Sequence, residues 1–487
     1  MSMAQTTSYE RTPDGAESGP QAIDLRATFE RLRAATRTLA APSYEERMDG
    51  LGRLADSVLR RQDEMVLAAR SDFGNRSEYE TKIAEVLMVL DGIKYMRKHL
   101  KSWMRPESRH VSMTYKPARA SVHYQPLGVV GVISPWNYPF QLALAPAAAA
   151  IAAGNRVLVK PSEYTPASSE TLKSILADAF DRDVASVVLG GPEVGEAFSR
   201  LPFDHLLYTG STEVGRLVMK AAAENLVPVT LELGGKSPTI LHPEYPIEKA
   251  AERIAWGKCV NAGQTCIAPD YVLVQESDVS QLTQALDATI RRYYPTLAQN
   301  PDYTAVVNPR HYERLGRLIG DAVAKGAHKI EINPAHEVLP KEGRKIAPTL
   351  LTGVNDDMRV MQEEIFGPVL PIVPYRTLDD AIAYVNARAR PLALYYFDDD
   401  AKRARHVLER TVSGGACVNE TLLHFGIEDM PFGGVGPSGM GAYHGKKGFL
   451  TFSHEKSVLY QAKWNATGLL APPYGERIKK LLGFLLR

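Results

Sequence analysis

Between Gly128 and Ala223, short and almost wholly apolar runs alternate with segments of helical period. Val129–Ile133 and Arg156–Val159 read as strands, with the Ala-rich stretch Leu142–Ala153 as the helix between them. A helix over Thr165–Phe180, a strand over Ser186–Leu189 and a helix over Glu193–Arg200 follow, then a strand over His205–Tyr208 and a helix over Glu213–Ala223. Unbroken apolar runs belong to strands buried on both faces. Repeated strand–helix–strand units therefore build a parallel sheet covered by helices on both sides. Such sheets take ligands at the carboxyl ends of their strands.

Upstream, Leu25–Ala69 carries apolar residues at mixed three and four spacing opposite many Arg and Glu, and Thr81–Leu100 continues that amphipathic pattern. Both predict helices. Pro106–Gln125 is polar and β-branched, alternating around Arg119–Tyr124, which predicts an exposed hairpin. After Leu231 a second α/β unit begins. Its expected helices are Ile247–Val260, Val279–Tyr294, Pro309–Lys325, Leu378–Ala387 and Ala401–Arg410. Tyr271–Val274 and Gly414–Val418 are strand-like, Gly433–Gly448 reads as loop, and Thr451–Tyr460 as strand.

With 487 residues the chain is too long for one simple core, so two or three domains are expected. Lys plus Arg (57) nearly cancels Asp plus Glu (56), which argues against a nucleic-acid partner. The three cysteines, Cys259, Cys266 and Cys417, cannot all pair and lack metal-site spacing, so no metal is expected. They fit a reducing, cytoplasmic setting. Met1–Pro20 is polar without an apolar signal core and is expected to be a disordered arm. The apolar region Leu127–Val159 is interrupted by Pro135, Asn137, Pro139, Pro146 and Gly154, which favours buried strands and helix over a membrane span.

The chemistry concentrates at Gly263-Gln264-Thr265-Cys266, a thiol between a helical run and a strand-like one. A substrate can reach a cysteine there, and nearby dipoles can favour its thiolate. Most free cysteines are small buried hydrophobes, the role expected of Cys259 and Cys417. Glu232, flanked by Leu231 and Leu233, is either a partly buried base with a raised pKa or a strand residue facing solvent. Pro135-Trp136-Asn137-Tyr138-Pro139 offers an amide donor. Nucleophile, carboxylate and amide are the parts of covalent acyl-type catalysis.

Leu207–Gly215 places a small-residue turn between a strand and a helix. This is either an ordinary capped helix or a pyrophosphate site. Lys160-Pro161-Ser162-Glu163 follows a strand, where Lys160 and Glu163 can reach ribose hydroxyls; a carboxylate there favours NAD over NADP. The literal G-x-G-x-x-G at Gly434–Gly439 has no preceding strand and is interrupted by Pro437, so it reads as a substrate-side or structural loop.

Five of these segments, together with Glu363-Glu364-Ile365-Phe366-Gly367-Pro368, stand in the order found in aldehyde dehydrogenases: Pro135–Pro139, Lys160–Glu163, Tyr208–Gly215, Leu231–Pro238, Gly263–Cys266 and then Glu363–Pro368. The chain resembles that superfamily over roughly Val122–His454. Trp256–Leu273 and Pro431–His454 resemble its class three branch, and the ending Ala471–Arg487 resembles bacterial coniferyl aldehyde dehydrogenases. The resemblance implies an α/β architecture with a Rossmann-like dinucleotide-binding domain (21–230, with a 106–125 hairpin for oligomerisation) and an α/β catalytic domain (231–430). A substrate-side loop and oligomerisation strand (431–465) and a tail (466–487) complete it.

It implies Cys266 as nucleophile, Glu232 as general base, and Asn137 with the Cys266 N–H as oxyanion hole. Gly210 and Ser211 would sit at the pyrophosphate, and Lys160 and Glu163 at the adenosine ribose. Glu364 would hold the nicotinamide ribose, with Phe366 and Trp136 also at the cofactor. Tyr138, Asn419 and His424 would line the aldehyde tunnel. NAD is expected, with NADP possible, and a homodimer. The expected activity is oxidation of an aromatic, coniferyl-type aldehyde to its acid. The alternatives are a long-chain fatty aldehyde dehydrogenase, a CoA-acylating enzyme, disfavoured by the presence of Glu232, and a non-catalytic NAD-binding protein. The amphipathic tail Glu476–Arg487 is expected to pack on the protein body rather than touch a membrane.

Overall fold

The computed structural model describes residues 20–465, 468 and 471–486. The expected disordered arm lies outside them except for Pro20, which opens the first helix, Pro20–Thr38.

The described residues form three sheets. An antiparallel hairpin, β1 (Glu107–Arg109) and β2 (Arg119–Pro126), leads into the strands of the parallel sheet: β3 (Val129–Ile133), β4 (Arg156–Lys160), β5 (Ala185–Val187), β6 (His205–Thr209) and β7 (Val229–Glu232). A second set follows: β8 (Pro238–Leu241), β9 (Tyr271–Gln275), β10 (His328–Glu331), β11 (Thr349–Thr352), β12 (Val369–Tyr375), β13 (Ala393–Phe397) and β14 (Gly415–Val418). The short β15 (Gly439–Met440) and the long β16 (Ser453–Tyr460) come last.

The six-stranded sheet runs β15-β7-β6-β3-β4-β5, parallel except for β15, and the seven-stranded sheet runs β10-β11-β12-β9-β8-β13-β14, parallel except for β10. In the small sheet β16 pairs along all of β2, from Ser453 opposite Pro126 to Tyr460 opposite Arg119.

Alternate residues of the six-stranded sheet feed two separate cores. Val129, Leu158 and Leu206 pack with Leu25, Phe29 and Leu32 of the first helix. Val130, Val157 and Leu207 pack on the other face with Leu51, Leu54, Ala147 and Ile151. The unbroken apolar runs thus reflect burial on both faces.

Several expectations need correction. The helix expected over Thr81–Leu100 is Glu78–Trp103 in three abutting pieces, with a π turn at Lys82–Leu87. The stretch Gly433–Gly448 expected as loop contains β15 and begins the helix Gly445–Thr451. A boundary between 230 and 231 would cut β7, whose pairing with β6 makes Val229–Glu232 part of the first sheet.

The tail helix Glu476–Leu485 does not pack on the body: Phe484 is 78% exposed, and no described apolar cluster takes in its residues. With Arg477, Lys479 and Lys480 along it, its apolar stripe stays beside solvent. Among the described residues no helix is long and apolar enough to cross a membrane.

Candidate active site

Cys266 sits on a turn whose backbone is forced into an unusual course. The helix Ile247–Cys259 ends and Asn261, Ala262 and Gly263 follow with φ of 50°, 50° and 73°. Asn and Gly tolerate this left-handed region better than other residues. The turn is held from inside by Gln264, whose Nε2 donates to Asn261 O and Ala305 O and whose Oε1 accepts from Val307 N, all at 3.0 Å. Tyr395 Oη, from the neighbouring β13, donates to Ile267 O at 2.5 Å.

Asn137 comes from the carboxyl end of β3. Its Nδ2 donates to Gln264 O at 3.1 Å, and Asn261 Nδ2 donates to Asn137 O at 3.0 Å. One amide hydrogen of Asn137 is thereby used, and the second is left for a ligand. Tyr138 Oη lies 2.7 Å from Thr265 Oγ1, next to Cys266.

Glu232 ends β7 and is only 2% exposed, which excludes the solvent-facing alternative. Neither carboxyl oxygen has a protein partner, and burial pushes its pKa well above the ordinary range. The Gly434–Gly439 run supports this strand rather than opening a phosphate-binding helix: Gly439 pairs with Glu232, and Leu233 N donates to Ser438 O at 3.2 Å. Gly439 has φ of 146°, and a Cβ there would meet Leu231 O at 2.3 Å.

The carboxylates act on the thiol. Loss of solvent, then Glu364, then Glu232 push Cys266 up to about 12, opposite to the expected activation. Glu364 is itself raised to about 8, chiefly by burial and next by Asp270. Its segment is tied down by Lys236, which bonds Asp270 and also Val360 O (2.7 Å) and Glu363 O (3.0 Å). Phe366 (φ 51°) stands edge-on to Trp136 at 5.3 Å between ring centres.

Gly210 and Ser211 lie at the end of β6, and Ser211 caps the helix Thr212–Ala223 through Val214 N at 3.4 Å. The remaining N–H groups of such a first turn lack intrahelical acceptors. At the carboxyl end of β4, across β3 from β6, Lys160 is 3% exposed, its Nζ bonded to Pro161 O (3.1 Å) and Glu163 Oε2 (3.4 Å). An anionic linker and a ribose with free hydroxyls fit these strand ends.

Asn419 is not with this group. It follows β14 at the carboxyl end of the second sheet, whereas Cys266 precedes β9 at the amino end. Its Oδ1 accepts from Asp398 N and its Nδ2 donates to Asp398 O, so the amide is committed to a backbone clasp. His424 does return toward the site, with its ring 6.1 Å from that of Tyr395 and its Nδ1 3.1 Å from Cys417 Sγ. Burial lowers its pKa to about 4, so it is neutral. Phe425, Phe432 and the buried His444 extend this aromatic cluster.

Sequence reasoning missed Asn261, Arg76 and Glu85. Asn-Ala-Gly was a legible cue for the left-handed turn at Asn261. Arg76 and Glu85 carry no local signal, because their partners lie across the fold.

A buried carboxyl, a thiol on a left-handed turn and an amide donor thus lie among the strand ends of two α/β sheets. The chain belongs to the aldehyde dehydrogenase family, whose sequence profile matches residues 16–458. It is similar to a probable coniferyl aldehyde dehydrogenase of Pseudomonas aeruginosa, 51% identical over 96% of this chain and 97% of that one. It is also similar to the coniferyl aldehyde dehydrogenase of another Pseudomonas, 47% identical over 97% of each. Among solved structures, the substrate-bound state of Staphylococcus aureus AldH superposes with a TM-score of 0.89. The two are 39% identical, over 95% of this chain and 99% of that one.

Proposed function

We propose that this aldehyde dehydrogenase oxidises a flat aromatic aldehyde of the coniferyl type to its acid, with NAD preferred over NADP. What supports the chemistry is that Asn137 Nδ2 donates to Gln264 O at 3.1 Å, two residues before Cys266, and that the buried Glu232 acts on the Cys266 thiol. The aromatic cluster beside it and the names of the relatives support the substrate class.

Cys266 attacks the aldehyde carbon as thiolate and leaves a tetrahedral oxyanion. The free hydrogen of Asn137 Nδ2 and the Cys266 N–H stabilise that charge; removing one such donor typically costs about 100- to 1,000-fold in rate. Gly210, Ser211, Lys160, Glu163, Glu364 and Phe366 would hold a dinucleotide, which would supply the hydride acceptor and, through its cationic ring, favour the thiolate. Once the thiohemiacetal carbon has lost hydride, Cys266 carries a thioester. Glu232, after ionising, takes a proton from water, which hydrolyses the thioester to the acid and frees the thiol.

Glu163 at the ribose position opposes a 2′-phosphate and underlies the NAD preference. Unpaired cysteines fit a cytoplasmic enzyme. The exposed edge of β16 is where a second copy would add, as a homodimer.

The test is NADH formation with coniferaldehyde against a long-chain alkanal at matched low concentrations. A clear excess of kcat/KM for coniferaldehyde is expected; the reverse result makes the chain a fatty aldehyde dehydrogenase.

A further inference from the structure

Beneath the oxyanion donor lies an ion pair that the reaction itself does not use. The side chains of Arg76 and Glu85 are both 0% exposed and meet at 3.1 Å. Arg76 Nη1 donates to Asn137 O at 2.7 Å. Glu85 Oε2 accepts from Phe140 N at 2.7 Å and Gln141 N at 3.4 Å, at the start of the helix Gln141–Ala152. The guanidinium also lies 4.7 Å from the Phe73 ring centre and 5.1 Å from that of Tyr138.

Two charges are thus buried on one five-residue segment, gripping it at both ends. Burying an ion pair is costly, and apolar packing of the same volume serves stability as well or better. An interaction of that kind is explained by what it orients. Here that is the Asn137 peptide, whose oxygen also takes Asn261 Nδ2, and the Tyr138 ring, whose hydroxyl meets Thr265 beside the nucleophile.

We infer that Arg76, braced by Glu85, is a positioning residue that sets Asn137 Nδ2 against the developing oxyanion. The inference rests on Asn137 being that donor. Displacing a catalytic group by about 1 Å costs on the order of 100-fold in rate. Arg76→Lys keeps the charge, but one ammonium cannot hold both Asn137 O and Glu85 in the geometry of a planar fork.

The experiment measures kcat per active site, counted by the NADH burst so that unfolded protein does not contribute, together with the aldehyde KM and NAD affinity. Arg76→Lys is expected to lower kcat about 10- to 100-fold, with KM and NAD affinity within about threefold. Adding it to Asn137→Ala is expected to cost little more than Asn137→Ala alone, because both act through one donor. A kcat within twofold of wild type, or losses that multiply in the double variant, overturns the inference. Glu85→Gln, nearly isosteric and still able to accept from Phe140 and Gln141, is the second variant; an unchanged kcat there overturns it equally. Asn137→Ala with wild-type kcat would instead refute the oxyanion reading itself.

Discussion

Cys266 stands in surroundings that disfavour its reactive form. Lost solvent and the carboxyls of Glu364 and Glu232 raise its pKa to about 12, so at neutral pH the unliganded enzyme holds a thiol. Iodoacetamide should therefore alkylate Cys266 slowly at pH 7 and faster once NAD+ is bound. Equal rates would place the activation in the protein alone. Cys266→Ala should abolish oxidation while leaving NAD binding intact, read by fluorescence titration.

Glu232 raises the same question from the other side. Burial lifts its pKa above the ordinary 4.5, so its ionised form is scarce at low pH and grows as pH rises. Thioester hydrolysis should therefore accelerate with pH, and Glu232→Gln should flatten that rise. The same variant should release a first burst of NADH and then stall. Normal turnover in it would require another base.

At the scale of elements, the turn 261–263 shows a local pattern serving a distant fit. Gly263 combines a φ of 73° with a missing Cβ that would lie 2.3 Å from Gly367 O. Gly263→Ala is expected to destabilise by about 1–3 kcal/mol and to lower kcat as the Cys266 turn shifts, seen in thermal unfolding and steady-state rates. A variant with unchanged melting and kcat would show that the turn absorbs the extra atom elsewhere.

Strands were less legible than helices in the second unit. β12 contains Pro371 and Pro374, residues that normally argue against an inner strand, yet it pairs on both sides. β10 is mostly exposed and polar, without the alternation that marks a strand. The helix Gly445–Thr451 was hidden by its glycines, and is fixed by packing of Phe449 on Trp103 and Tyr124.

Among the edge strands of the described sheets, β16 is the longest and is exposed over most of its length. Such an edge is a template on which another chain can pair. Light scattering should give twice the chain mass of 53.6 kDa. A monomer at micromolar concentration would contradict the proposed dimer.

The amino-acid sequence by itself determined the alternation that builds the parallel sheets, the strand ends at Lys160, Gly210 and Glu232, and the local turn that carries Cys266. These depend on neighbours within a few residues, where periodicity and conformational preference act. Tertiary structure alone decided how solvent is withdrawn. It left Glu232 buried without a partner, raised the Cys266 thiol, turned the Asn419 amide onto Asp398 and drew Arg76 under Asn137. Each of those outcomes depends on groups brought together from distant parts of the chain, and no local pattern encodes which of them will meet.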